Sequence, residues 1–312
     1  MYIKVKKGGI KMGWRIVHVK ESESMQLRLD NLQISKQGFK YFIPLADINM
    51  IVIEGRTTLT TSLMAAFTKY NIVTIICDKQ YLPTGILLSY GNYHHMAKRT
   101  LQQIKWTQEI KKEMWKNVIG QKITNQIRVA ELLKVEPERI ELMQKNYHNL
   151  TPGDQTNREG HTAKIYFNSL YGLNFTRDKD CLENSGMNYG YTIIRAAVAR
   201  LVVGQGLIPA LGIFHHNEFN SFNLVDDLME PFRPLMDYWL MKNIFHKYKY
   251  LSYEARLIII NFLNQEMIFK GTHSSIDQIM DKYITSFVEA MSEENTLLLE
   301  RIKLDDFLEA MK

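Results

Sequence analysis

The chain is poor in the residues that build covalent or thiolate frameworks. Two cysteines, Cys77 and Cys181, stand in 312 residues and form no CxxC pair. That count excludes a disulfide scaffold and a thiolate zinc site, and it fits a reducing cytoplasm. Cys77, inside IVTIICD, reads as a small core residue. Long apolar runs are also missing: IIRAAVARLVV is broken by Arg195 and Arg200, and nothing approaches the roughly 20 residues of a membrane span. The lysines near the N-terminus have no apolar stretch behind them, so no secretory signal is evident. A phosphate-binding loop is absent, because Gly8 and Gly13 have the right separation but Trp14 stands where lysine is needed. No glycine-rich dinucleotide fingerprint follows a strand, and no GxSxG occurs. Nucleotide-driven chemistry is thereby set aside.

What is present is an ordinary globular balance, 46% hydrophobic and 23% charged, at a length that favours two domains. The net charge of +6 hides an asymmetry. Residues 1–95 carry 12 basic against 6 acidic side chains, residues 96–150 carry 11 against 6, and residues 151–312 carry 16 against 21. A basic half beside an acidic half suggests a polyanion on one side and a cation site on the other, although a solvated basic surface explains the first equally well. The opening MYIKVKKGGIK precedes a second methionine, Met12. Lys-Lys-Gly-Gly can be encoded by a purine run resembling a ribosome-binding site, so Met12 is the expected start and residues 1–11 a translated leader.

From Trp14 to Tyr90 the pattern is β-like. WRIVHVK, MQLRLD and LQIS alternate, with Asp30-Asn31 as a turn signal between the last two. INMIVIEG and IVTIICD read as buried strands, and TTLTTSLMAAFTKY between them reads as one embedded helix. After Gly91 the period becomes helical, and 92–95 is the expected linker. Helices are predicted over about 94–135, 137–146, 156–171, 188–204, 224–246, 253–266, 274–291 and 296–311. The expected fold is α+β: a β-sandwich-like N-terminal domain over 12–91, then an all-helical domain over 96–312.

Three constellations stand out. Thr156-Asn157-Arg158-Glu159 matches a capping box, in which Thr156 accepts from the Glu159 backbone and the Glu159 side chain reaches back. That alone accounts for Glu159, at about 1 kcal/mol. GIFHHNEFNSFNLVDDLMEPFRP, residues 212–234, brings Asp226, Asp227 and Glu230 to one side of a helix behind His215 and His216. Two carboxylates about 4 Å apart repel by about 4 kcal/mol, so such a cluster calls for an arginine, a proton or a cation. Arg233 is the simple compensator, and Pro231 disturbs the register just there. The third is basic: Lys98, Arg99, Lys105, Lys112 and Lys116, interleaved with Trp106 and Trp115, form a stripe suited to phosphate tracking. A solvated helix with buried tryptophans is the competing reading.

Together, NREGHTAKIYFN, LGIFH and DLMEPFRPLMD resemble the integrase subunit of CRISPR adaptation systems, in the branch found beside single-protein RNA-guided effector nucleases. The resemblance runs from residue 12 to about 300. It implies a catalytic divalent metal, Mg²⁺ or Mn²⁺, held by Glu159, His215 and Glu230, a donor set suited to either ion. Asp227 would support the ligands, with Asn168 and Arg233 also near the site. His216 is the second candidate of the doublet, as ligand or as DNA contact. The implied reaction is transesterification, the 3′-hydroxyl of a short duplex attacking a phosphodiester at the edge of a repeat. Implied partners are double-stranded DNA with 3′-OH ends, CRISPR repeat DNA, a second copy joined through the β-rich domain, and a small companion subunit whose dimer bridges two integrase dimers. The effector nuclease and an accessory adaptation protein complete the list. A nuclease acting on branched DNA, and a non-catalytic DNA-binding scaffold, are the alternatives. With Glu159 on a metal, Thr156 would cap the helix without the reciprocal half of the box.

Overall fold

A computed structural model of the chain describes residues 15–90 and 96–311. The expected leader, 1–11, and linker, 92–95, lie outside the described residues. The chain divides into two compact units, Met1–Asn92 and Tyr93–Lys312.

The first unit is strand-rich. Strands β1 (Arg15–Lys20), β5 (Ile48–Glu54), β6 (Val73–Cys77) and β7 (Pro83–Leu87) form one sheet in the order β1-β5-β6-β7. The first three are parallel and β7 is antiparallel. β5 is buried at every position, which is why its centre, residues 50–53, is an unbroken apolar run rather than alternating. Strands β2 (Ser24–Arg28), β3 (Asn31–Lys36) and β4 (Phe39–Pro44) form an antiparallel sheet. Leu29-Asp30 and Gln37-Gly38 connect them, all four with positive φ, as a two-residue hairpin turn requires. The sequence pattern missed β4, because FKYFIP is exposed at five of six positions and has no alternation to detect. Helix α1 (Thr61–Lys69) is capped by the Thr60 side chain and buries Leu63 and Phe67 against Met25, Leu32 and Leu45.

The second unit is mostly helical: α2 (Met96–Ile104), α3 (Gln108–Leu132), α4 (Pro137–His148), α5 (Arg158–Tyr171), α6 (Leu182–Gly204), α7 (Asn223–Met229), α8 (Arg233–Leu240), α9 (Tyr253–Ile260), α10 (Ile276–Ser292) and α11 (Leu304–Glu309). It is not all-helical. Strands β8 (Glu266–Phe269) and β9 (Thr272–Ser275) form a hairpin across Lys270-Gly271, both at positive φ. The predicted single helix 94–135 is interrupted at Thr107, whose hydroxyl caps α3. α6 begins six residues before expectation. Asn184, Gly186 and Gly190 are poor helix formers, but the glycines admit neighbours: a Cβ on Gly190 would lie 2.8 Å from Met236. The predicted helix 224–246 is divided by a 3-10 turn, Glu230–Phe232, around Pro231. Asn125 of α3 secures that turn, donating to the Pro231 carbonyl at 3.2 Å.

Candidate functional site

The site lies in the second unit, where α3, the start of α5, the loop after α6 and the turn between α7 and α8 meet. α5 begins differently from the capping box. Asn157, in the left-handed region at φ 52, is the cap, and its side chain accepts from Gly160 N. The Glu159 backbone N–H goes to Asp154 Oδ2 at 2.9 Å, and the Arg158 N–H to Asp154 Oδ1 at 2.7 Å. Thr156 is not the cap; its hydroxyl accepts from Arg158 Nε at 3.0 Å. With its backbone satisfied by Asp154, Glu159 turns its side chain away from the helix end and pairs with the Lys122 ammonium.

Lys122 also lies 2.6 Å from Glu230 Oε2, so one buried ammonium stands between two carboxylates. Lys122 is 7% exposed and Glu230 4%. Glu230 Oε2 is buried without a well-aligned hydrogen bond and faces that charge. Burial works to lower the Lys122 pKa, but the charges of Glu230 and Glu159 outweigh it and hold it above its ordinary value. The Lys122 charge in turn holds the Glu159 carboxyl below its usual range, despite burial. Arg233 completes the shell, with Nε 3.1 Å from Glu230 Oε1 and its guanidinium 4.8 Å from the Tyr191 ring centre.

Asp226, Asp227 and Glu230 each have side-chain partners of their own. Asp226 takes Arg195 Nε at 2.6 Å and Asn220 Nδ2 at 2.8 Å. Asp227, with no exposed surface, accepts the backbone N–H groups of Ile213, Phe214 and His215 at 2.7, 3.1 and 3.1 Å. His215 Nδ1 is 2.7 Å from Asp227 Oδ1. Burial pushes the Asp227 carboxyl up, opposed by the hydrogen bond from His215, and that bond raises the imidazole's pKa. With Nδ1 committed, Nε2 is the nitrogen left to offer a lone pair. The His215 charge is felt at Glu159, and that of Glu230 at His215, so the three predicted ligands share one neighbourhood. Among the described residues, no three His, Cys, Asp or Glu side chains are gathered closely enough to hold a metal ion as they stand.

Trp115 of α3 is buried and stacks on Phe214 at 4.2 Å, with His215 edge-on at 5.6 Å. Gly212 explains the Gly-x-x-His spacing: a Cβ there would stand 2.2 Å from the His215 carbonyl oxygen and 2.7 Å from Asp227 Oδ2. His216 is exposed, with Nδ1 against the Phe214 carbonyl. Asn168 is nine residues past Glu159 on α5, about 13 Å along the axis and on the opposite side. The basic stripe is not one helix face: Lys98 and Arg99 lie on α2, Lys105 in the turn after it, and Lys112 and Lys116 on α3. Lys122, further along α3, points inward instead. Its place seven residues after buried Trp115, on the apolar face of α3, is the signal that marks it.

The second unit is mostly helical and brings two carboxylates together around Lys122, near a histidine oriented by a third carboxylate, and the first unit is strand-rich. Residues 17–251 match the family model for CRISPR associated protein Cas1. The chain belongs to the Cas1 family. The CRISPR-associated endonuclease Cas1 of Neisseria meningitidis serogroup C (strain 8013) is 33% identical over 306 residues, covering 95% of this chain and 97% of that one. Its counterpart from Francisella tularensis subsp. novicida (strain U112) is 22% identical, covering 83% and 89%. Among solved structures, a casposase bound to integration product superposes with a TM-score of 0.74 at 17% identity, covering 94% of this chain and 95% of that one. One chain of a Cas6-RT-Cas1–Cas2 complex reaches 0.78 at 18% identity, covering 96% and 37%. These last two likenesses are of fold.

Proposed function

We propose that this protein is a metal-dependent DNA integrase that joins short duplexes to CRISPR repeat DNA by 3′-hydroxyl attack on a phosphodiester. The observation that carries the reading is the convergence of Glu159 and Glu230 on one cation position, with His215 in electrostatic reach. Glu230 Oε2, an under-bonded buried acceptor, fits a divalent ion as partner, and two carboxylates with an imidazole suit Mg²⁺ or Mn²⁺. Glu159 and Glu230 would hold the ion through oxygen and His215 through Nε2. When bound, it would supply Lewis-acid polarisation of the phosphoryl oxygen and lower the pKa of the attacking hydroxyl. The protein's own part is positional. Asp227 fixes the His215 tautomer and loop, Trp115 stacks beneath the loop, and Arg233 restrains Glu230.

Two further observations support the assembly. β4 is an edge strand exposing Phe39 at 67% and Phe42 at 52%, which suits pairing of two copies through the strand-rich unit. Lys98, Arg99, Lys105, Lys112 and Lys116 are all at least partly exposed and available to DNA phosphates. The companion subunit is proposed by analogy with the Cas1–Cas2 complex named among the structural neighbours. The effector nuclease and accessory protein rest on sequence resemblance.

One reaction tests the reading. The protein is mixed with its companion subunit, a short duplex with free 3′-hydroxyls, Mn²⁺ or Mg²⁺, and a supercoiled plasmid carrying a repeat array. Covalent joining that vanishes with 3′-dideoxy ends is expected. Cleavage without joining would make the protein a nuclease, and binding alone a scaffold. Joining that survives Glu159→Ala or His215→Ala would remove the metal assignment.

A further inference from the structure

We propose that Lys122 is a built-in placeholder for the divalent cation: its ammonium holds Glu159 and Glu230 in position in the metal-free protein and is displaced when the cation binds. The inference rests on the metal reading above. Lys122 is paired with Glu159 Oε1 and Glu230 Oε2, so both oxygens converge on one charged group. A Mg²⁺ or Mn²⁺ ion approaches carboxylate oxygens to about 2.0–2.2 Å. It would need the same place between them, where like charges repel.

The placement of Lys122 points to this role rather than to a solvated helix face. Lys112 on the same helix is exposed, whereas Lys122 is 7% exposed and shares the apolar face with Trp115. Without a cation, Glu230 would be a buried carboxylate held only by Arg233, with Glu159 beside it, and such a pair spreads or takes up a proton. A lysine suits a partner that must leave. It is a compact point charge on a flexible four-carbon stem, whereas the planar fork of arginine binds a carboxylate through two hydrogen bonds at once.

The test is a Mn²⁺ titration of the full chain, following free Mn²⁺ by electron paramagnetic resonance. Lys122→Met removes the competing charge and keeps much of the apolar stem. It is expected to bind Mn²⁺ roughly 10- to 100-fold more tightly, the scale on which neighbours of metal ligands act. Lys122→Arg, which keeps a cation there, should not. A second measurement uses the unaltered protein, so that a poorly folding variant cannot leave the matter open. Labelling of Lys122 by an amine-acylating reagent, read by mass spectrometry, should rise several-fold on adding Mn²⁺, with Lys116 as the internal reference. Equal or weaker binding by folded Lys122→Met overturns the proposal, as does labelling that Mn²⁺ leaves unchanged. Glu230→Ala separates this from the reading beneath it. Mn²⁺ binding that survives Glu230→Ala removes the site and the placeholder together. Binding abolished by Glu230→Ala while Lys122→Met changes nothing removes the placeholder alone.

Discussion

His215 Nδ1 lies 2.7 Å from Asp227 Oδ1, and the same carboxylate gathers the backbone N–H groups of Ile213, Phe214 and His215. Four donors on one fully buried carboxylate make the histidine loop a single hydrogen-bonded object. Asp227→Asn keeps the volume but replaces one acceptor oxygen with an NH₂ group facing other donors. We expect a loss of about 2–4 kcal/mol in chemical denaturation, because buried donors are left unpaired. Mn²⁺ affinity should fall about 10- to 100-fold as the imidazole loses its orientation. A variant that is destabilised yet binds Mn²⁺ with unchanged affinity would reduce Asp227 to a purely structural role.

Gly212 is held to glycine by the same object. Any Cβ there would stand 2.2 Å from the His215 carbonyl oxygen and 2.7 Å from Asp227 Oδ2, closer than atoms can approach. Gly212→Ala must therefore shift either the loop or Asp227. The expected cost is about 1–3 kcal/mol of stability, the usual range for a forced fit, with a loss of joining activity out of proportion to it. Wild-type denaturation midpoint and wild-type joining would mean that the loop relaxes freely and that the tight contact is not needed.

The start of α5 separates two accounts of one helix end. If the capping box of the sequence operated, Thr156→Ala would cost about 1 kcal/mol. In the structure Thr156 serves only the Arg158 side chain, whereas the Asp154 carboxylate takes two backbone N–H groups. Thr156→Ala is therefore expected to fall within about 0.5 kcal/mol of wild type and Asp154→Ala to lose about 1–2 kcal/mol. The reverse order in denaturant melts would restore the box and return the Glu159 side chain to the helix end.

That helix end also shows what sequence could and could not reveal. Glu159, His215 and Glu230 stood out as candidates because each sits in a recognisable segment, and the division into a strand-rich and a helical part followed from the change of period near Gly91. The cap was misassigned because Asp154, two residues upstream of Thr156, takes the Arg158 and Glu159 N–H groups from the Pro152-Gly153 turn, and a turn signal alone does not say which N–H groups a side chain in it meets. β4 escaped because an exposed edge strand has no buried face to impose alternation, and the β8–β9 hairpin because its strands are only four residues long. The partners of the acidic cluster were hidden by distance along the chain. Arg195 comes to Asp226 from 31 residues away, and Lys122 to Glu159 from 37. Charge spacing within one segment shows that compensation is needed, but not from which helix it comes.

A second buried carboxylate carries a prediction in pH. Asp237, 1% exposed, accepts from Tyr191 Oη at 2.5 Å and Tyr166 Oη at 3.2 Å. Burial raises its pKa from 3.8 to about 6, against the pull of the two hydroxyls, Arg177 and Arg233. The folded protein thus holds this proton more tightly than the unfolded chain, where an aspartate titrates near 3.9. The stability it contributes is fully present below about pH 4 and is lost as pH rises through about 6. At 1.36 kcal/mol per unit, the loss by neutral pH is about 3 kcal/mol. Asp237→Asn cannot titrate, so the stability difference between wild type and variant should shift against wild type by that amount between pH 4 and 7. Denaturant midpoints measured in parallel across that range check it. Two curves that stay parallel would mean that Asp237 keeps an ordinary pKa, with its tyrosine hydrogen bonds offsetting its burial in full.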